Sequence, residues 1–180
     1  MRFHDTSIAG VRIVDADVFP DERGEFVRAW AASDFEAQGL DTTLAQASLA
    51  RNRLRGTIRG LHYQVAPFEE VKVIRAVRGE VWDVALDLRA GSPTHGRWLG
   101  IRLAADEHRL LYIPQGVAHG YQTLSDDAEV FYFVSAPYSP EHQRGVRWND
   151  PRFGIDWPLG SPTVVSERDA AFPDFTDGRP

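Results

Sequence analysis

Gly56-Thr-Ile-Arg-Gly-Leu-His-Tyr-Gln64, then Val71-Lys-Val-Ile-Arg-Ala-Val-Arg-Gly79, is the stretch on which the reading of this chain turns. Arg59, His62 and Lys72 sit here on segments that otherwise alternate as strands do. Val71, Val73 and Val77 share one face; Lys72, Ile74 and Ala76 share the other. An ammonium thus stands where a β-sandwich or barrel would place a methyl, and burying it is costly unless an anion meets it. Lys72 is also the only lysine, the other basic residues being 19 arginines. A compact ammonium rather than a flat guanidinium is what such a position would select, the alternative being a strand lysine with its head in solvent.

Outward from this stretch the same pattern recurs. Strands are expected at 11–14, 24–30, 44–49, 57–63, 71–77, 80–88, 98–103, 108–113, 120–124 and 129–135. Arg78-Gly79 predicts a hairpin between its flanking strands. In the second arm Trp82, Val84, Leu86 and Leu88 face one way, and Val81, Asp83, Ala85 and Asp87 the other. One short helix is expected from Ser33-Asp-Phe-Glu36, a capping box with Ser33 as the cap, stopped by Gly39. Strands at this spacing without intervening helices predict an all-β antiparallel sandwich or barrel. From Pro137 the pattern lapses into irregular chain, whose Trp148, Phe153, Trp157, Phe172 and Phe175 predict a tail packed back on the body.

Composition sets bounds. The 180 residues, 43% of them hydrophobic, suit one domain spanning 1–180. No apolar run is long enough to span a membrane. Zero cysteines remove disulfides and thiolate sites. With no apolar export signal at the amino terminus, a cytoplasmic location is expected. A net charge of −6 argues against nucleic acid as a partner. It leaves room for a small anion, because Arg51, Arg53, Arg55 and Arg59 cluster just ahead of His62 and Arg23 sits in Asp-Glu-Arg-Gly. Such a cluster is either a solvated face or a phosphate clamp.

Of six histidines, His4, His95 and His142 lie in polar segments and read as surface, while His108 is ambiguous. His62 and His119 instead flank glycines in apolar strands. Ile113-Pro-Gln-Gly-Val-Ala-His119-Gly resembles the second cupin motif, with Pro114, Gly116 and His119 at the expected intervals. The first motif of metal-binding cupins carries two histidines one residue apart; here His62-Tyr-Gln64 lacks the second. Only His62, His119 and Glu69 or Glu70 remain as ligands, so a cupin barrel without a metal is expected. A histidine in such a pocket is free to act as general base. Lys72 would stabilise the anion that forms, and Tyr132 either packs or supplies a proton from the other side.

The ordered motifs Arg59-Gly-Leu-His62-Tyr-Gln, Gly79-Glu-Val-Trp-Asp-Val, Gly91-Ser-Pro-Thr-His-Gly-Arg-Trp, Trp148-Asn-Asp, Gly154-Ile-Asp-Trp-Pro and Ser166-Glu-Arg-Asp169 complete the reading. With the His119 segment and Tyr138-Ser-Pro, they make the chain resemble the dTDP-4-dehydrorhamnose 3,5-epimerases, sugar-nucleotide epimerases of the cupin superfamily. The resemblance implies a jelly-roll barrel, a homodimer and a nucleotide-sugar substrate, with neither metal nor other cofactor. It assigns His62 as the base, Asp169 as its carboxylate partner, Tyr132 as the acid and Lys72 as the enolate-stabilising cation. His119 is implied for the sugar, and Arg23, Gln46, Arg59 and Tyr138 for the nucleotide. On its own, Ser166-Glu-Arg-Asp169 reads as a second capping box. The chain departs from the family at Arg28, where many members carry glutamate, at Phe133, where many carry lysine, and in Gln46-Ala-Ser-Leu, which lacks an asparagine. Epimerisation at one centre only, or a binding cupin without this activity, are the competing expectations.

Overall fold

The structure, a computed structural model, describes residues 1–176. Among them are β1 (Arg2–Asp5), β2 (Arg12–Asp15), β3 (Asp17–Asp21), β4 (Gly24–Arg28), α1 (Ala32–Glu36), β5 (Gln46–Asn52), β6 (Ile58–Gln64) and β7 (Lys72–Arg78). There follow β8 (Glu80–Asp87), β9 (Trp98–Ala104), β10 (Arg109–Ile113), β11 (Val117–Thr123), β12 (Ala128–Val134), β13 (Gln143–Gly145) and α2 (Glu167–Ala170). One sheet runs β1-β2-β10-β7-β12-β5, the other β13-β6-β11-β8-β9, while β3 and β4 form a separate ribbon. All ladders are antiparallel, and the two sheets make the expected cupin-type jelly roll.

The alternation read from sequence is what fills the space between the sheets. Ile74 and Ala76 of β7, Val81 and Ala85 of β8, Val117 and Tyr121 of β11 and Val130 of β12 meet in one buried cluster. The opposite faces of β7 and β8 are covered too. Val71 and Val73 pack with Phe35 and Tyr112, and Val84 and Leu86 pack with the tail residues Phe153 and Trp157. The tail therefore folds back as its aromatics require.

Two expectations need correction. β7 and β8 are not a hairpin: β7 pairs with β10 and β12, β8 with β11 and β9. Arg78-Gly79 is instead the corner at which the chain leaves one sheet for the other. Gly79 adopts φ +65°, and a Cβ there would lie 2.2 Å from Ser125 Oγ. Nor does Ser33 cap α1. The helix starts two residues earlier, with Ala31 as a cap that offers no side-chain bond, and Glu36 accepts from Thr42 Oγ1 at 3.2 Å instead. Packing sets this start: Phe35 is fully buried against Phe3 and Trp30, outweighing a cap bond of about 1 kcal/mol.

Candidate active site

Strand register lines up the inner wall. On the six-stranded sheet Lys72, Val134 and Gln46 stand in one row and Ile74, Tyr132 and Ser48 in the next. On the five-stranded sheet His62 and His119 are direct partners. Directly opposed residues share a face, so Lys72 and Tyr132 look across at His62 and His119. Between them lies a cleft of about 420 Å³ lined also by Arg59, Glu70, Tyr138 and Asp169.

His62 Nε2 lies 2.8 Å from Asp169 Oδ1. A carboxylate only accepts, so Nε2 carries the proton and Nδ1 is the basic nitrogen. The second oxygen, Oδ2, accepts from Gly60 N–H at 3.1 Å. Asp169 is brought here by α2, whose cap Ser166 accepts from the Asp169 N–H. Half of the expected capping box is therefore present: Ser166 caps α2, but the Asp169 carboxylate turns to His62 and Gly60 instead of back to the Ser166 N–H. Burial by itself would raise the Asp169 carboxyl, but hydrogen bonds from His62, Gly60 and Ser166 outweigh it and hold it below the ordinary value of 3.8.

The anion that meets Lys72 is the protein's own. Its ammonium is 3.1 Å from Glu70 Oε1, both side chains being 10% exposed, and donates to the carbonyl of His62 at 3.1 Å. Gln64 donates to the other Glu70 oxygen at 3.1 Å and accepts from Ser139 N–H at 2.7 Å. The sequence offered Glu70 only as a metal ligand. Its spacing of two from Lys72 was the signal, although Glu70 precedes the strand and strand periodicity does not cover it.

A second pair mirrors the first: His119 Nε2 to Asp83 Oδ2, 3.0 Å. Asp83 is fully buried; the alternation of β8 grouped it with Val81 and Ala85, and the structure turns that face inward. Arg59 Nε donates to Asn52 Oδ1 at 2.7 Å, and the Tyr121 hydroxyl shares that oxygen at 3.4 Å. Burial pushes Tyr121 up to about 12. Tyr138, half exposed at the rim, donates to Gln143 at 2.9 Å. Gln46 donates to Ser48 Oγ, 3.0 Å away.

Arg23 is not brought to the cleft. It lies at the tip of the β3–β4 ribbon, 83% exposed and paired with Asp21. The departures Arg28 and Phe133 lie off the cleft as well: Arg28 pairs with Asp17, and Phe133 packs against Trp30 and Phe131. Of the histidines read as surface, His4 is exposed, whereas His95 and His142 are half-buried.

Each inner histidine gives one ring nitrogen to a carboxylate. No three metal-ligating side chains converge among the described residues. A cupin-type barrel with a histidine–aspartate pair, a lysine and a tyrosine about one cleft defines a class equipped for acid–base chemistry. Within that class the chain belongs to the dTDP-4-dehydrorhamnose 3,5-epimerase family, a family of isomerases, whose sequence profile matches residues 5–177. It is 40% identical over 177 residues to the dTDP-4-dehydrorhamnose 3,5-epimerase of Sinorhizobium fredii, covering 98% of this chain and 91% of that one. It is 40% identical to a dTDP-4-dehydrorhamnose 3-epimerase of Streptomyces niveus, over 94% of this chain and 81% of that one. The crystal structure of the Bacillus anthracis 3,5-epimerase with TDP and PPi bound superposes with a TM-score of 0.93 at 36% identity, covering 97% and 99% of the two chains.

Proposed function

We propose that this protein epimerises a dTDP-linked 4-keto-6-deoxyhexose at C3 and C5. The carbonyl at C4 acidifies the flanking C–H bonds. His62 Nδ1 takes the proton, the C–H electron pair becomes the C=C bond of an enolate, and the C4 oxygen becomes an anion beside the Lys72 ammonium. Tyr132, from the facing sheet, delivers a proton to the opposite face of the carbon and the ketone re-forms. Solvent then returns the proton balance between His62 and Tyr132. No electrons leave the sugar. Arg59, Gln46 and Tyr138 serve the nucleotide diphosphate, His119 the sugar. The observation that carries this reading is the 3.1 Å bond from Lys72 to the backbone carbonyl of His62, which ties the cation to the residue that bears the base, in the same cleft.

The test is an NMR time course in D₂O with the 4-keto sugar nucleotide. Deuterium should enter at C3 and C5 with wild-type protein and at neither position with His62→Ala. Lys72 is better replaced together with its partner, as Lys72→Met/Glu70→Gln. Removing the lysine alone strands a buried carboxylate, at a cost of about 3–5 kcal/mol. Similarity to the Streptomyces niveus 3-epimerase favours one second reading, a single-centre enzyme, and deuterium at C3 alone would select it.

A homodimer belongs to the proposal. Phe19 and Phe26 on the β3–β4 ribbon are 50% and 68% exposed, an apolar surface that a second copy would cover. That ribbon carries Arg23, so the partner copy is the natural recipient of its guanidinium. Light scattering should give twice the 20.2 kDa chain mass.

A further inference from the structure

β13 is the edge strand beside β6, and its Gly145 is the direct partner of His62. A cross-strand partner ordinarily packs its side chain against its neighbour at about 4.5–5.5 Å, and glycine offers none. The space is filled from elsewhere. A Cβ on Gly145 would lie 2.1 Å from two ring carbons of Phe172, so the ring rests directly on the bare glycine. From there it meets the His62 imidazole edge-on, centroids 5.9 Å apart and planes at 71°, within the range of favourable aromatic pairs. An aromatic ring covering an edge glycine is a known device for pinning a strand. Here it also touches the residue opposite.

The ring is held in turn by the chain around it. Arg147 donates to the Phe172 carbonyl at 3.3 Å and forms an ion pair with Asp174. Phe175 N–H donates to the buried Asp150 at 2.6 Å. One short segment thus supplies both neighbours of the imidazole, Asp169 at Nε2 and Phe172 at the ring edge.

We infer that Phe172, seated on Gly145, is a positioning residue that fixes the plane of the His62 imidazole against rotation about its bond to Asp169. The inference rests on the epimerase reading for its kinetic consequence, but not for its geometric one. A reacting group misplaced by about 1 Å costs on the order of 10²-fold in rate. Phe172→Ala should therefore lower kcat by about 10- to 100-fold with KM within about threefold. Gly145→Ala, which must displace the ring, should do the same. The double variant should be no worse than Phe172→Ala alone, because the methyl then occupies the emptied space.

A second readout is the imidazole N–H proton shared with Asp169, followed by NMR without substrate. It should exchange with solvent faster in both single variants and recover protection in Phe172→Leu. Wild-type protein that exchanges no sugar hydrogen would remove the epimerase reading and leave the imidazole measurement to decide this one. An unchanged imidazole signal in Phe172→Ala, or single-variant losses that add in the double variant, would overturn the positioning role. If Phe172→Ala does not fold, Gly145→Ala and Phe172→Leu decide by the same two readouts: a Gly145→Ala protein with wild-type kcat and N–H protection overturns it.

Discussion

Two histidine–aspartate pairs stand on adjacent strands, His62 with Asp169 and His119 with Asp83, and they are built differently. Asp169 arrives on α2 from 107 positions away, and both its oxygens are bonded, one to His62 and one to Gly60 N–H. Asp83 stands on β8 diagonal to His119. One of its oxygens meets the imidazole, while Oδ1 is buried with no hydrogen-bond partner among the described residues. The His62 side chain is 26% exposed and that of His119 only 10%. A carboxylate satisfied on both sides can orient an accessible imidazole and neutralise it when it gains a proton. One left half-satisfied deep in the barrel fixes a tautomer and little else. The first arrangement suits a group that takes and gives protons, the second a group that shapes a wall.

The largest expected difference lies in the imidazoles themselves. His62→Ala should reduce hydrogen exchange by about 10²–10⁴-fold. His119→Ala should keep exchange and raise KM by about tenfold, near 1.4 kcal/mol of binding. Equal losses of kcat in the two would erase the distinction; steady-state kinetics on both variants provides the check.

The carboxylates follow. Asp169→Asn can offer its amide N–H to Nε2 and reverse the tautomer, so kcat should fall by about 10²-fold or more. Asp83→Asn retains an acceptor for His119 and removes a charge that is bonded on one side only, so its kcat should stay within about tenfold and its urea midpoint should change little.

Acid extends the contrast to a carboxylate that does no chemistry. Asp87 is fully buried, and bonds from Arg89, Ser92 and Thr94 overcome the upward push of burial and depress its carboxyl far below the ordinary 3.8. A depressed carboxyl stabilises the fold fully above its unfolded value, and that contribution is lost as the pH falls through the folded value. Asp87 and Asp169 are both of this kind. Urea midpoints measured between pH 5 and pH 3 should therefore fall in the wild type. The fall should flatten most in Asp87→Asn and less in Asp169→Asn.

The smallest effect is expected at Tyr121→Phe, which removes one of the two donors on Asn52 Oδ1 while Arg59 remains. A loss of about 1 kcal/mol in stability, with Arg59 still placed and KM unchanged, is the expected outcome. A large rise in KM would make Tyr121 part of the nucleotide site rather than its support.

Much of the fold was legible because burial imprints period two on a strand. Ten expected segments correspond to strands, and the residues that share a face with Lys72 and with Asp83 could be read directly. β1, β3 and β13 were missed: they lie at sheet edges or in the ribbon, β1 and β3 are too exposed to carry that imprint, and β13, three residues long, is too short to show it. The β7–β8 hairpin was misread because a glycine turn in the left-handed region serves a sheet corner as readily as a hairpin. Arg23 was assigned to the nucleotide, and one copy of the chain leaves it exposed on the ribbon, away from the cleft.

By itself, then, the sequence determined the all-β class, His62, Lys72 and His119 as the candidates for chemistry, and the family that the ordered motifs identify. Only the tertiary structure decided which acid meets which base: Asp169 with His62, Glu70 with Lys72, Asp83 with His119, and Phe172 on Gly145. Alternation fixes the face from which a side chain leaves its strand. A contact across a hundred residues depends on the path of the chain between, and that path is set by the packing of the whole core.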